Sequence, residues 1–159
     1  GDTLYGDGSN LTGITSITIN SNADNRVITG SGTANTLNGE SSLLFDGSML
    51  TVNGISVGKG ANSVAGCTVL GENALDAAVT GGNNTAIGKL TLTDLTSATN
   101  NTAVGLQAGK EVTTGASNTL IGVNAGFNLT SGFQNVAIGV SSLDACETGG
   151  SNVAIGINA

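Results

Sequence analysis

Histidine is absent from the chain, and with it goes much of catalytic chemistry. Triads of the Ser–His–Asp or Cys–His kind need an imidazole as base. Zinc sites lean on the same side chain, and without it would need clustered cysteines or carboxylates. The two cysteines, Cys67 and Cys146, are too few for a disulfide framework or a metal set, and they read as small apolar residues. Proline and tryptophan are also missing, and charged residues make up only 9% of the 159, against roughly a quarter in an ordinary globular protein. Four basic residues against eleven acidic ones leave a net charge of −7. No phosphate-neutralising stripe can be built from that, so neither nucleic acid nor an anionic membrane surface is an expected partner. No run approaches the ~20 apolar residues of a membrane span. Tyr5, Phe45, Phe127 and Phe133 are the whole aromatic inventory, little for a site that stacks sugar rings.

What remains is glycine, 26 residues of it, with abundant Asn, Thr and Ser. Disorder is not implied, because Ile, Val, Leu and Ala are spread evenly and the charge is low. A surface kept soluble by hydroxyls and amides suits a shape with much turn and little bulk interior. The chain opens at Gly1 and stops at Ala159 within a pattern, so it is expected to be a fragment or a processed product.

That pattern is a seventeen-residue repeat. Asn84-Thr85-Ala86-Ile87-Gly88 returns as Asn101-Thr102-Ala103-Val104-Gly105, Asn118-Thr119-Leu120-Ile121-Gly122, Asn135-Val136-Ala137-Ile138-Gly139 and Asn152-Val153-Ala154-Ile155-Gly156. One step backwards stands Cys67-Thr68-Val69-Leu70-Gly71. Constant spacing without insertion predicts a solenoid in which each rung needs a neighbour above and below. The short alternating Thr-Ala-Ile reads as a strand with Thr and Ile on one face. The glycine that closes it (Gly71, Gly88, Gly105, Gly122, Gly139, Gly156) reads as a corner with positive φ or close backbone approach. Segments such as 142–149 suggest a turn or a short helical turn in the rest of the rung.

Two apolar columns are expected inside: Leu70, Ile87, Val104, Ile121, Ile138 and Ile155 from the strands, and Ala78, Leu95, Val112, Leu129 and Cys146 from the turns. Ala74, Ala108, Ala125 and Ser142 are small where rungs or chains come close. The leading Asn84, Asn101, Asn118, Asn135 and Asn152 are candidates for a side-chain amide ladder, from which only Cys67 departs. Cys67 and Cys146 lie between four and five rungs apart, about 20 Å at ~4.8 Å per strand, which predicts two free thiols.

The first 57 residues follow a different rule. Asp7-Gly8-Ser9-Asn10-Leu11-Thr12 is echoed by Asp46-Gly47-Ser48-Met49-Leu50-Thr51, turn chemistry followed by alternating strand. Residues 14–20 alternate cleanly, and Val27-Ile28-Thr29 and Ser42-Leu43-Leu44-Phe45 read as further strands. The chain divides into a β-meander module at 1–57, a connector at 58–66 and the solenoid at 67–159. The meander has too few large apolar residues to close a core alone, so partner copies of the chain are expected. The expected fold class is mainly β: an elongated chain with an N-terminal β-meander followed by a β-solenoid of seventeen-residue rungs.

The run Gly6-Asp7-Gly8-Ser9-Asn10-Leu11-Thr12-Gly13-Ile14 resembles a turn-strand signature of bacteriophage tail fibres. Residues 24–30 and 44–52 resemble a module of structural fibre proteins from marine and cyanobacterial phages. The Asn-Thr-Ala-Ile-Gly units are similar to those fibres and, more distantly, to the heads of trimeric autotransporter adhesins. The resemblance implies a homotrimeric fibre of the virion that supports host attachment. Its implied partners are other virion or tail proteins, and a host glycan or protein met through another region. The seventeen-residue unit departs from adhesin heads, whose units are usually shorter.

Candidate catalytic groups are scarce. Glu72 with Asp76, and Lys110 with Glu111, fall in the charged part of the rung and read as a solvated rim rather than the paired carboxylates of a glycosidase. Gly58-Lys59, Gly88-Lys89 and Gly109-Lys110 lack the spacing of a phosphate loop. The aspartates are too sparse for a calcium-binding roll. No enzyme activity, cofactor or metal is expected. The reading is a virion fibre shaft or adapter, with a bacterial surface adhesin as the alternative. An ice-binding solenoid, from the Thr68, Thr85, Thr102 and Thr119 column, and a polysaccharide depolymerase are weaker alternatives. Asp76, Asp94, Lys110, Glu111 and Asp144 look the most exposed.

Overall fold

A computed structural model describes residues 26–30, 37–45 and 49–159. The strand expected at 14–20 and both Asp-Gly-Ser turns, at 7–9 and 46–48, lie outside the described residues. Among the described residues ten strands form one sheet in sequence order. The first four are a meander: β1 (Arg26–Gly30), β2 (Leu37–Phe45), β3 (Met49–Val52) and β4 (Ile55–Gly58) pair antiparallel with their successors. Asn53 and Gly54, with φ of 50° and 86°, make the tight turn between β3 and β4. β4 then lies antiparallel to β5 (Thr68–Gly71), so the sheet runs unbroken from meander into solenoid. A short 3-10 turn, Ala61–Ser63, lies in the connector between them.

From β5 onwards each strand pairs parallel with the next: β6 (Thr85–Ile87), β7 (Thr102–Val104), β8 (Thr119–Ile121), β9 (Val136–Ile138) and β10 (Val153–Ile155). Every pairing joins residues seventeen apart, such as Ala86 with Ala103. Parallel neighbours at that spacing mean that the chain circles once per unit and returns beside itself, the rung geometry that the unbroken repeat predicts.

The turn half of each rung is not helical. Left-handed residues recur in it at fixed positions: Asn73, Leu90, Gln107, Asn124, Ser141 and Asn158 at one, Leu75, Leu92, Gly109, Gly126 and Leu143 two residues later. A helix cannot contain them. Their N–H groups bond along the stack instead. Leu90 donates back to Glu72 O (2.9 Å), whereas Leu92 donates forward to Ala108 O (3.1 Å). Bonding between rungs therefore replaces bonding within a helical turn.

Which face of the strand points inwards is a correction to the sequence reading. Leu70, Ile87, Val104, Ile121, Ile138 and Ile155 do stack in a column, but on the outer face; Leu70 is 45% exposed and Ile155 66%. The interior is lined by the middle residue of each strand, Val69, Ala86, Ala103, Leu120, Ala137 and Ala154. The reason is width. The opposite wall already fills the rung with Leu75, Leu92, Leu95, Val112 and Leu129, so the strand side has room mainly for alanine. In the turn column Leu95, Val112 and Leu129 are buried as expected and Cys146 half-buried, but Ala78 is exposed and Val79 takes its place. Ala74, Ala108, Ala125 and Ser142 are buried.

Candidate functional site

The most ordered constellation is the amide ladder. Asn84, Asn101, Asn118 and Asn135 are buried at the start of successive strands. Each side-chain oxygen accepts two bonds from the following rung. Asn101 donates to Asn84 Oδ1 through its backbone N–H (3.0 Å) and its Nδ2 (3.1 Å). Asn118 does the same to Asn101, Asn135 to Asn118 and Asn152 to Asn135. The second Nδ2 proton goes to a corner carbonyl fourteen residues on: Gly115 O for Asn101, Gly132 O for Asn118 and Gly149 O for Asn135. No polar atom of these buried amides is left over, which a buried network requires to be favourable. Cys67 occupies the first position and gives only a weak thiol bond to Gly81 O (3.7 Å). Asn84 Nδ2, with no amide oxygen before it, turns to Gly81, Gly82 and Ala98 carbonyls. Both cysteines are free, Cys67 buried and Cys146 half-buried.

The corner glycines combine both properties that the sequence suggested for them. Gly88, Gly105, Gly122 and Gly139 have φ between 130° and 139°. A Cβ on any of them would strike the carbonyl oxygen of the corner glycine in the next rung. A third column, of threonines, bonds outside the sheet. Thr96 Oγ1 donates to Thr113 O (3.0 Å), Thr113 to Thr130 O (3.2 Å) and Thr130 to Glu147 O (3.0 Å).

Among the described residues the charged side chains form ion pairs and no metal-ligating cluster. Lys89 pairs with Glu72 (3.0 Å), and Lys110 with Asp94 (3.7 Å) while lying 5.3 Å above the Phe127 ring. Asp76 and Asp94 are exposed; Lys110, Glu111 and Asp144 are only half-exposed. Among the described residues no three His, Cys, Asp or Glu side chains gather as metal ligands, and no helix is long and apolar enough to cross a membrane. A shallow concavity of about 440 Å³ is lined by Asn128, Ser141, Asp144, Ala145, Asn158 and Ala159. Asp144 is its single carboxylate, and glycoside hydrolysis by the usual route uses two.

The feature that sequence reasoning missed is the outer face. Beside the outward Leu70–Ile155 column, across the corner glycines, runs a second: Glu72, Lys89, Leu106, Val123, Val140, Ile157. Its last four members are exposed apolar residues. The signal was present in the sequence, since the position after the corner glycine changes from charged to apolar after two rungs. No family model matches this chain, and searches among curated proteins and solved structures likewise found no match.

Proposed function

We propose that this segment is a non-catalytic structural spacer: a stiff, self-associating shaft or adapter, in a virion fibre that supports host attachment. The observation that carries it is the uninterrupted stack: every rung from Cys67 to Asn152 is bonded to the next through strand and turn, and from Asn84 onwards through the amide ladder as well. A stack of this kind adds length in fixed steps of ~4.8 Å, so reach and stiffness are the properties it supplies. The N-terminal signature and the Asn-Thr-Ala-Ile-Gly units support a fibre of the phage type, three chains side by side, with receptor contact lying elsewhere. The adhesin-head reading rests on the repeat alone.

Deleting one unit, residues 84–100, brings the Cys67 rung against the Asn101 rung, with Leu75 in the place of Leu92. The shortened protein is expected to fold, and a fibre carrying it to be shorter and still attach. An eight-residue deletion at the same place should unfold it, because register is lost. Saturable binding of the purified segment to host cells that blocks adsorption would make it a receptor-binding domain instead. Release of oligosaccharides from surface polysaccharide would overturn the non-catalytic reading.

A further inference from the structure

From the two outward columns we infer that copies of this chain pack side by side, parallel and in register, through the face bearing Leu70, Ile87, Val104, Ile121, Ile138 and Ile155 together with Leu106, Val123, Val140 and Ile157. The inference rests on the self-associating shaft proposed above and supplies its contact face and direction.

Three observations converge on it. The first is extent. In the first column Leu70 (45%), Ile121, Ile138 and Ile155 are exposed and Ile87 and Val104 half-buried; in the second Leu106, Val123, Val140 and Ile157 are all exposed. With Val57, paired opposite Leu70 and itself exposed, the stripe runs from β4 to the last rung. Its apolar area is on the order of several hundred Å², at or above the largest patch of a typical monomer. The second is period. The side chains recur once per rung, about every 4.8 Å, with corner glycines forming a furrow between the columns. A partner that covers several rungs must carry apolar groups at that same interval, and a second copy of this chain does.

The third observation is charge, and it sets direction. The second column begins with Glu72 and Lys89 and continues with four apolar residues. In a parallel, in-register pair, apolar residues meet apolar residues. Glu72 and Lys89 then stand near the same two residues of the other chain, where either carboxylate is within reach of either ammonium. In an antiparallel pair Lys89 faces Val140 and Glu72 faces Ile157. That would desolvate two charges against apolar groups.

The full chain is tested by sedimentation equilibrium and thiol cross-linking. The parent should be an oligomer, and the double variant Val123→Glu/Val140→Glu should be a monomer with an unchanged circular dichroism spectrum. Val140→Cys chains carrying Cys146→Ser should link to one another through a short bismaleimide, as should Lys89→Cys chains in the same background. A monomeric parent overturns the proposal. So does an oligomer unaffected by the double variant, or one in which Lys89→Cys links only to Val140→Cys in mixed samples. If the double variant loses the parent spectrum, the milder Val140→Ser takes its place, and unaltered association with that folded variant overturns the face. An oligomer indifferent to these variants speaks against this contact alone, a monomer speaks against the self-association as well, and binding to or cleavage of polysaccharide speaks against the spacer reading.

Discussion

Leu120 fills the space that Gly126 leaves empty: a Cβ on Gly126 would sit 2.8 Å from Leu120 Cδ2. Gly109, one rung earlier, stands in the same relation, with its hypothetical Cβ 2.6 Å from Leu120 Cδ1. In the second and fifth rungs the strand supplies an alanine and the turn a leucine, Ala86 with Leu92 and Ala137 with Leu143. At Leu120 one leucine on the strand replaces two on the turn side. Leu120→Ala should therefore open a cavity across two rungs and cost about 3–5 kcal/mol. Gly126→Leu should be comparably harmful alone. Combined with Leu120→Ala it should cost clearly less than the sum of the two, because the pairing of other rungs is recovered. Denaturant unfolding of the four proteins measures the coupling.

The amide ladder predicts an unusual penalty for an isosteric change. Asn118→Asp keeps the acceptor for Asn135 but removes the Nδ2 bonds to Asn101 Oδ1 and Gly132 O, and sets a carboxylate against both oxygens. The loss should be about 3 kcal/mol or more near neutral pH. In the folded state the introduced carboxyl favours its protonated form, so folding raises its proton affinity. Stability should therefore rise as pH falls through the raised value, and be lost again as pH rises. Thermal melts of parent and variant across the acid range test the sign.

Cys67→Asn should strengthen the protein. An amide at the first position offers an oxygen to the backbone N–H and Nδ2 of Asn84, as Asn84 does for Asn101. At about 1 kcal/mol per net hydrogen bond, the gain should be about 1–2 kcal/mol, read as a higher Tm.

The corner glycines separate two effects of one substitution. Gly122→Ala meets both a positive φ of 139° and the Gly139 carbonyl. In the 159-residue segment, Gly156→Ala meets a φ of 128° but only Ala159 Cβ, at 3.9 Å. The second should cost about 1 kcal/mol from backbone strain, and the first several times that. Equal losses in denaturant titrations would show that the close approach between rungs contributes nothing.

Much of this architecture was legible in the residues. The seventeen-residue period requires rungs, because only stacked neighbours demand so constant a length. Asn at each strand start pointed to the ladder, since an amide carries both donor and acceptor and can bond to copies of itself. The corner glycines pointed to tight backbone, and the distance between Cys67 and Cys146 to free thiols.

Other features were decided only by the tertiary structure. Strand alternation puts Thr85 and Ile87 on one face and Ala86 on the other, but period two is blind to which face is inside. That was settled by the turn side, whose Leu92 and Leu95 fill a narrow interior and leave alanine as the residue that fits. The second half of the rung was open between bend and helical turn for a similar reason. Leu90 and Leu92 are compatible with helix locally, yet their N–H groups find partners in Glu72 and Ala108 of the adjoining rungs, and those bonds exist only once the rungs are stacked.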